Sequence, residues 1–169
     1  AINEMPIAEV EYKKKSVKII RKQKHQNGDF KVRPFKDVKV GLVKVRPAMK
    51  AEELEIYKDY DGLVIEGTGL GHAPIEDHKE NEEIKKVIKK LCKKIFVGMA
   101  SQTIYGRINM NVYSTGRLLQ ELGVKGNDTD MTPETAYIKL AWLLSNKKTE
   151  LYEKNLRGEI SERSENIFI

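Results

Sequence analysis

The chain has 169 residues, 40% of them hydrophobic and 33% charged, with 12 Gly and 5 Pro, which fits one ordinary domain with an appended hairpin and excludes a disordered or fibrous chain. Net charge is +6, but the excess is local: residues 1–50 hold 14 Lys and Arg against 5 Asp and Glu, a net +9, whereas residues 51–169 hold 17 against 20, a net −3. No apolar run approaches the roughly 20 residues of a membrane helix, so no membrane partner is expected.

The first residues lack a basic segment followed by an apolar core, so nothing marks the chain for secretion. The missing initiator Met suggests processing or excision from a longer chain. Residues 7–12 and 16–21 alternate apolar with polar around Lys13, Lys14 and Lys15, which predicts a hairpin. With Arg21, Lys22 and Lys24 it offers cations to phosphates, and tRNA is a possible partner. A solvated hairpin is the plainer reading, because stacking aromatics are scarce. Residues 26–29 form a second turn signal.

Residues 38–45 read as a mostly buried strand closed by Arg46-Pro47. Helical spacing over 50–59 ends at Tyr60-Asp61-Gly62, before a strand at 63–65. A glycine cluster, GTGLGHAP at 67–74, then leads to a helix over 76–94 with Ile84, Val87, Ile88 and Leu91 in its apolar stripe. Cys92, the only cysteine, lies in that Lys-rich helix, which fits a reducing, cytoplasmic setting and a structural thiol. A third buried strand spans 95–100. Three strands with helix-length spacers predict parallel order with right-handed crossovers in a doubly wound sheet. Residues 101–113 form a loop, followed by a short helix to 122 and a short fourth strand at 123–126. Thr132 as N-cap, Pro133 at the first position and Glu134 start a further helix, and a last helix spans 149–156. The fold class is therefore α/β: a small parallel-sheet, Rossmann-like, three-layer domain over 37–169, with an N-terminal β-hairpin and linker extension over 1–36.

The glycine loop follows a strand end, where open α/β sheets gather ligand-binding groups. Gly67, Gly69 and Gly71 permit close backbone approach and positive φ, and amides there could converge on an anion. The spacing, G-x-G-x-G, makes a weak dinucleotide fingerprint, so a structural turn and a small-ligand contact lead over nucleotide binding as readings. His72 is the titratable group of that loop. Glu66 could orient a ligand amine or cap the loop's amides. His25 and His78 lie too far off in sequence to form a metal set with it, and no metal or cofactor is expected. The hydroxyls of Ser101, Thr103, Ser114 and Thr115 share the same predicted edge, but no nucleophile motif is present.

Five segments then carry a resemblance: AINEMPIA at 1–8, DGLVIEGTGLGHAP at 61–74, SQTIYGRINMNVYSTG at 101–116, DMTPE at 130–134 and NLRGE at 155–159. In order and across nearly the whole chain, they resemble the C-terminal domain of L-asparaginases of the bacterial cytoplasmic type, and within that family most closely the D subunits of archaeal glutamyl-tRNA(Gln) amidotransferases. The resemblance implies a small α/β domain whose catalytic threonines and lysine lie in an N-terminal asparaginase domain of the same parent chain, so that no catalytic residue is here. It implies a glycine loop that reaches the substrate pocket of a neighbouring subunit, with His72 where that family often has Asn or Ser, and Gly69 and Gly71 beside it. It also implies a homodimer, a partner subunit with kinase and transamidase activity, and ammonia passed on to convert Glu-tRNA(Gln) to Gln-tRNA(Gln). The alternatives are the same domain of a free L-asparaginase, a stand-alone module binding RNA or a small ligand, and a dimer scaffold. An interface role predicts an exposed apolar patch at Ile104, Tyr105, Ile108 and Met110.

Overall fold

Strand and helix alternate because β-branched runs alternate with stretches of helical period. A computed structural model describes residues 8–20, 31–76 and 78–161. The predicted turn at 26–29, His25 and the cations Arg21, Lys22 and Lys24 lie outside these residues. The expected hairpin is present as β1 (Ala8–Glu11) and β2 (Ser16–Ile19), antiparallel, with Val10 opposite Val17 and Glu9 opposite Lys18. Its apolar side chains share one face, and Val10, Val17 and Ile19 stand exposed on it.

The main sheet is β3 (Val40–Lys44), β4 (Gly62–Gly67) and β5 (Phe96–Ser101), all parallel and in that spatial order. The sheet is crossed by α1 (Glu52–Glu55), which tightens into a 3-10 turn at Ile56–Asp59, and by α2 (Lys79–Lys94). Helix α3 (Ser114–Leu122) ends at Gly123, whose φ of 108° lets the chain leave the helix. Leu63, Ile65, Val97 and Met99 pack under Leu54, Ile84, Ile88, Leu91 and Leu119 on one face. Val40, Val64 and Ala100 pack against α4 (Pro133–Ser145) on the other. β4 and β5, buried on both faces, need apolar residues at nearly every position, whereas β3, at the sheet edge, leaves Leu42 and Lys44 exposed and is less buried than its sequence predicts.

Three expectations are corrected. The strand order never reverses and α1 and α2 lie on one face, so the sheet has three layers but is not doubly wound. The fourth strand reduces to one bridge between Lys125 and Gly98, since Gly126 turns away at a φ of 124°. The helix expected over 149–156 is a single 3-10 turn at Thr149–Leu151, because Glu153 bends back to accept the amides of Gly126 and Asn127 at 2.7 and 3.1 Å. Thr132 caps α4 as its sequence implies, accepting from the Thr135 amide at 3.4 Å.

The NLRGE turn closes on α4. Lys139, buried on that helix, pairs with Glu159 at 2.7 Å and donates to the Lys154 carbonyl at 2.5 Å. Glu159 also accepts the amides of Leu156 and Arg157 at 3.0 and 2.6 Å. Burial would raise the Glu159 carboxyl, but Lys139 and these amides outweigh it and hold the carboxyl below its ordinary 4.5. Burial pulls Lys139 down, opposed by Glu159.

A carboxylate with a depressed folded value stabilises the fold above its unfolded value, and that contribution is lost as pH falls through the folded one. Stability measured by urea denaturation should therefore decline on acidification below pH 4.5. Glu159→Gln should flatten that decline and cost about 3 kcal/mol at neutral pH, since it strands a buried lysine. An unchanged acid profile in the variant would show that the pair contributes nothing.

Candidate functional site

The C-terminal ends of β3, β4 and β5 gather one loop cluster. Beyond Gly67, residues 68–72 close on themselves: the Thr68 amide donates to the His72 carbonyl, and the amides of Gly71 and His72 donate to the Thr68 carbonyl, all at 3.0 Å. These three amides are therefore spent inside the loop, and the expected anion cradle does not form from them. Gly69 and Gly71 have φ of 49° and 97°, the left-handed region that favours glycine. A Cβ at Gly71 would also meet Ile108 Cγ2 at 2.8 Å, and one at Gly67 would meet the Met99 sulfur at 2.6 Å. Gly69 faces open space. The loop is thus both a structural turn and a close-packed one.

His72 lies edge-on to Tyr113, ring centroids 5.3 Å apart. Its Nε2 is enclosed and has no hydrogen-bond partner. The ring lines an open pocket of about 310 Å³ with Val45, Arg46, Thr68, Pro74 and Thr115. The walls are mostly apolar, and Arg46 among them is paired with Glu53 at 2.6 Å, so the pocket suits a small ligand better than a large one.

The neighbouring polar groups are committed to holding this wall. Ser101 Oγ donates to the Gly69 carbonyl at 2.6 Å and meets Thr103 Oγ1 at 2.7 Å, so it anchors the loop. Gln102 Nε2 bridges the carbonyls of Val45 and Glu66 at 2.5 and 3.0 Å, joining the ends of β3 and β4. Glu66 pairs with Lys44 at 2.7 Å. Ser114 and Thr115 donate to Glu76 at 3.0 and 2.6 Å, and the hydroxyls of Thr115 and Ser114 hold its carboxyl below the usual range. Glu76 was not legible as a site residue; its signal is a carboxylate that faces the first turn of a helix distant in sequence.

No described group of three or more His, Cys, Asp or Glu could hold a metal, and His78 is exposed. Burial pushes the Cys92 thiol up to about 11, against nucleophilic use. The predicted apolar patch splits. Ile104 and Tyr105 are 55% and 61% exposed, whereas Ile108 and Met110 are 1% and 0% exposed. The last two fill the floor beneath Gly71, so replacing Ile108 by Asp would unfold the domain and cannot report on an interface.

Similarity to known proteins coincides with this sheet. The family of glutaminase/asparaginase C-terminal domains matches residues 39–154. The glutamyl-tRNA(Gln) amidotransferase D subunit of Methanobrevibacter smithii is 42% identical over 97% of this chain and 38% of its own length. The D subunit of Thermofilum pendens is 44% identical over 98% and 37%. The thermostable L-asparaginase from Thermococcus kodakarensis superposes with a TM-score of 0.83 at 29% identity, covering 96% of this chain and 49% of that one. The chain thus spans less than half the length of these relatives.

Gly71→Ala should lower stability by about 2 kcal/mol or more, because it adds an Ile108 clash to left-handed strain, whereas Gly69→Ala should cost about 1 kcal/mol from strain alone. Equal losses in denaturant titrations would show that the Gly71 contact is not tight.

Proposed function

The chain belongs to the glutaminase/asparaginase C-terminal domain family, and on that premise we propose that it is the substrate-completing half of an amidohydrolase subunit of a tRNA-dependent amidotransferase. Relatives named as amidotransferase D subunits match nearly all of it at about 40% identity, whereas the solved L-asparaginases are 29% and 26% identical. This favours the amidotransferase component over a free asparaginase.

The observation that carries the proposal is His72. Its Nε2 is enclosed without a partner, which costs about 1–3 kcal/mol, while the residue itself lines a small pocket at the sheet edge. In this reading the imidazole turns a nitrogen to the α-amino or α-carboxylate end of glutamine or asparagine when substrate enters. Gly69 and Gly71 set the backbone close enough for the ring to reach. Nucleophile and base belong to the N-terminal asparaginase domain of the parent chain. Among the described residues no hydroxyl or thiol hydrogen-bonds the side chain of a histidine or a lysine, which fits that division.

In this reading the loop completes the pocket of a second copy in a homodimer. The released ammonia passes to a partner subunit that activates and amidates Glu-tRNA(Gln), and the assembly works in the cytoplasm. No described helix is long and apolar enough to cross a membrane. The hairpin favours tRNA contact little, because Lys14 pairs with Glu11 at 3.0 Å and Lys18 approaches Glu9 at 3.9 Å.

The chain alone should release no ammonia from glutamine. In the full-length subunit, His72→Ala should raise KM about tenfold with a smaller change in kcat, the mark of lost substrate binding. A KM and kcat both unchanged within about twofold would mean that the loop is only structural.

A further inference from the structure

The floor of the glycine loop has one anchored end and one free end. Ile104 and Tyr105 are exposed, and a Cβ at Gly106 would meet nothing within 4 Å. The anchoring begins at Arg107. Its Nη1 donates to the Asp128 carbonyl at 2.7 Å and its Nη2 to the Ser161 carbonyl at 2.6 Å. Its Nε is enclosed without a hydrogen-bond partner.

Both acceptors sit on braced backbone. Asp128 occupies a turn at a φ of 61° that follows the amides capped by Glu153. The Ser161 amide is held by Asp130 Oδ1 at 3.0 Å. Directly after Arg107, the Ile108 amide donates to the Thr129 carbonyl at 2.9 Å, and the Ile108 carbonyl accepts the Asp128 amide at 3.1 Å. The Ile108 side chain then lies beneath Gly71, and the Asn109 amide donates to the Leu70 carbonyl at 3.1 Å. One guanidinium thus joins the two segments that fix the height of the loop's floor.

We propose that Arg107 is a positioning residue for the substrate-facing glycine loop, holding residues 108–109 where they set the orientation of His72. The inference rests on the reading of His72 as a substrate contact. A planar fork whose Nη donors sit at fixed separation matches two carbonyls from different segments, whereas a lysine ammonium gathers its three N–H donors on one atom and does not reproduce that spacing. Burying part of the fork with Nε unpaired is unfavourable, so the arrangement retains the geometry at a cost. A floor that shifts by a fraction of an ångström leaves His72 in the pocket but misaimed. That weakens substrate binding more than chemistry carried by another domain.

In the full-length subunit, R107Q should raise KM for glutamine about fivefold while kcat stays within about twofold. The R107Q/H72A double variant should bind no more weakly than H72A alone, because the floor has nothing to aim once His72 is gone. An unchanged KM, or effects of the two changes that multiply, overturns the proposal. R107K keeps the charge but places its donors on a single nitrogen, so it serves if R107Q fails to fold. It should recover only part of the KM loss, and full recovery overturns the role of the fork. A readout free of activity uses two-dimensional NMR of the chain itself. There R107K should shift the Leu70 and Gly71 amides and the His72 ring signals while leaving α2 in place, and unmoved loop signals overturn the proposal. If H72A alone leaves KM untouched, the substrate contact is what fails, and the NMR result then decides the role of Arg107.

Discussion

The close contact between Gly71 and Ile108 decides how the sheet edge is built. A parallel sheet buried on both faces leaves only strand ends to carry ligand chemistry, and here the end of β4 must bring its backbone down onto a side chain from the next crossover loop. A Cβ at Gly71 would lie 2.8 Å from Ile108 Cγ2, and its φ of 97° suits no other residue comfortably. Glycine at that point lets the loop close through its own amides and carries His72 out at the rim. Ile108 in turn must be apolar and buried, which makes the following loop part of the core although it has no helix or strand of its own.

Polar groups around the rim follow from the same constraint. A loop with three inward-turned amides cannot hold itself against the sheet, so side chains do it: Ser101 on Gly69, Gln102 across Val45 and Glu66, and Glu76 on the first turn of α3. Each is hydrogen-bonded, as partly buried polar groups must be. Their engagement removes most of the hydroxyls and carboxylates from candidacy as catalysts. Among the described buried side-chain atoms near the rim, His72 Nε2 is left without a partner. Far from the rim, Lys139 and Glu159 close the NLRGE turn on α4, and Ser161 beyond that turn receives Arg107. The turn is therefore coupled to the site through covalent proximity and one guanidinium.

Period and capping made much of this architecture legible. The three buried strands, the stripe of α2 and the Thr132-Pro133 start of α4 stand where the residues place them, since β-branched runs and i, i+3, i+4 spacing act locally. The five segments in register identified the family. Tertiary effects were less legible. Residues 101–113 have no period, so Ile108 and Met110 looked like surface although the glycine loop covers them. The helix expected over 149–156 lost its last turn because Glu153 is drawn to Gly126 and Asn127, a partner about 27 residues away in sequence. The roles of Glu76 and Arg107 depend on segments distant along the chain, and no local pattern encodes them.

The identity of the residue at 72 has a consequence for the contact it makes. An Asn, one of the two residues (Asn or Ser) that the resemblance implies at this place, offers donor and acceptor from one amide end. A neutral imidazole offers one of each on opposite sides of the ring. The ring lies edge-on to Tyr113 with Nε2 enclosed, and the tautomer decides whether each nitrogen donates or accepts. An α-carboxylate needs a donor there and an α-ammonium needs an acceptor, so the two ends of an amino acid select different tautomers of the same side chain. Small tilts of the ring then alter affinity more than they would for an amide that can rotate to satisfy either end. If His72 makes the proposed contact, a histidine loop requires a stiffer floor than an asparagine loop, and the braced stretch behind Gly71 fits that need.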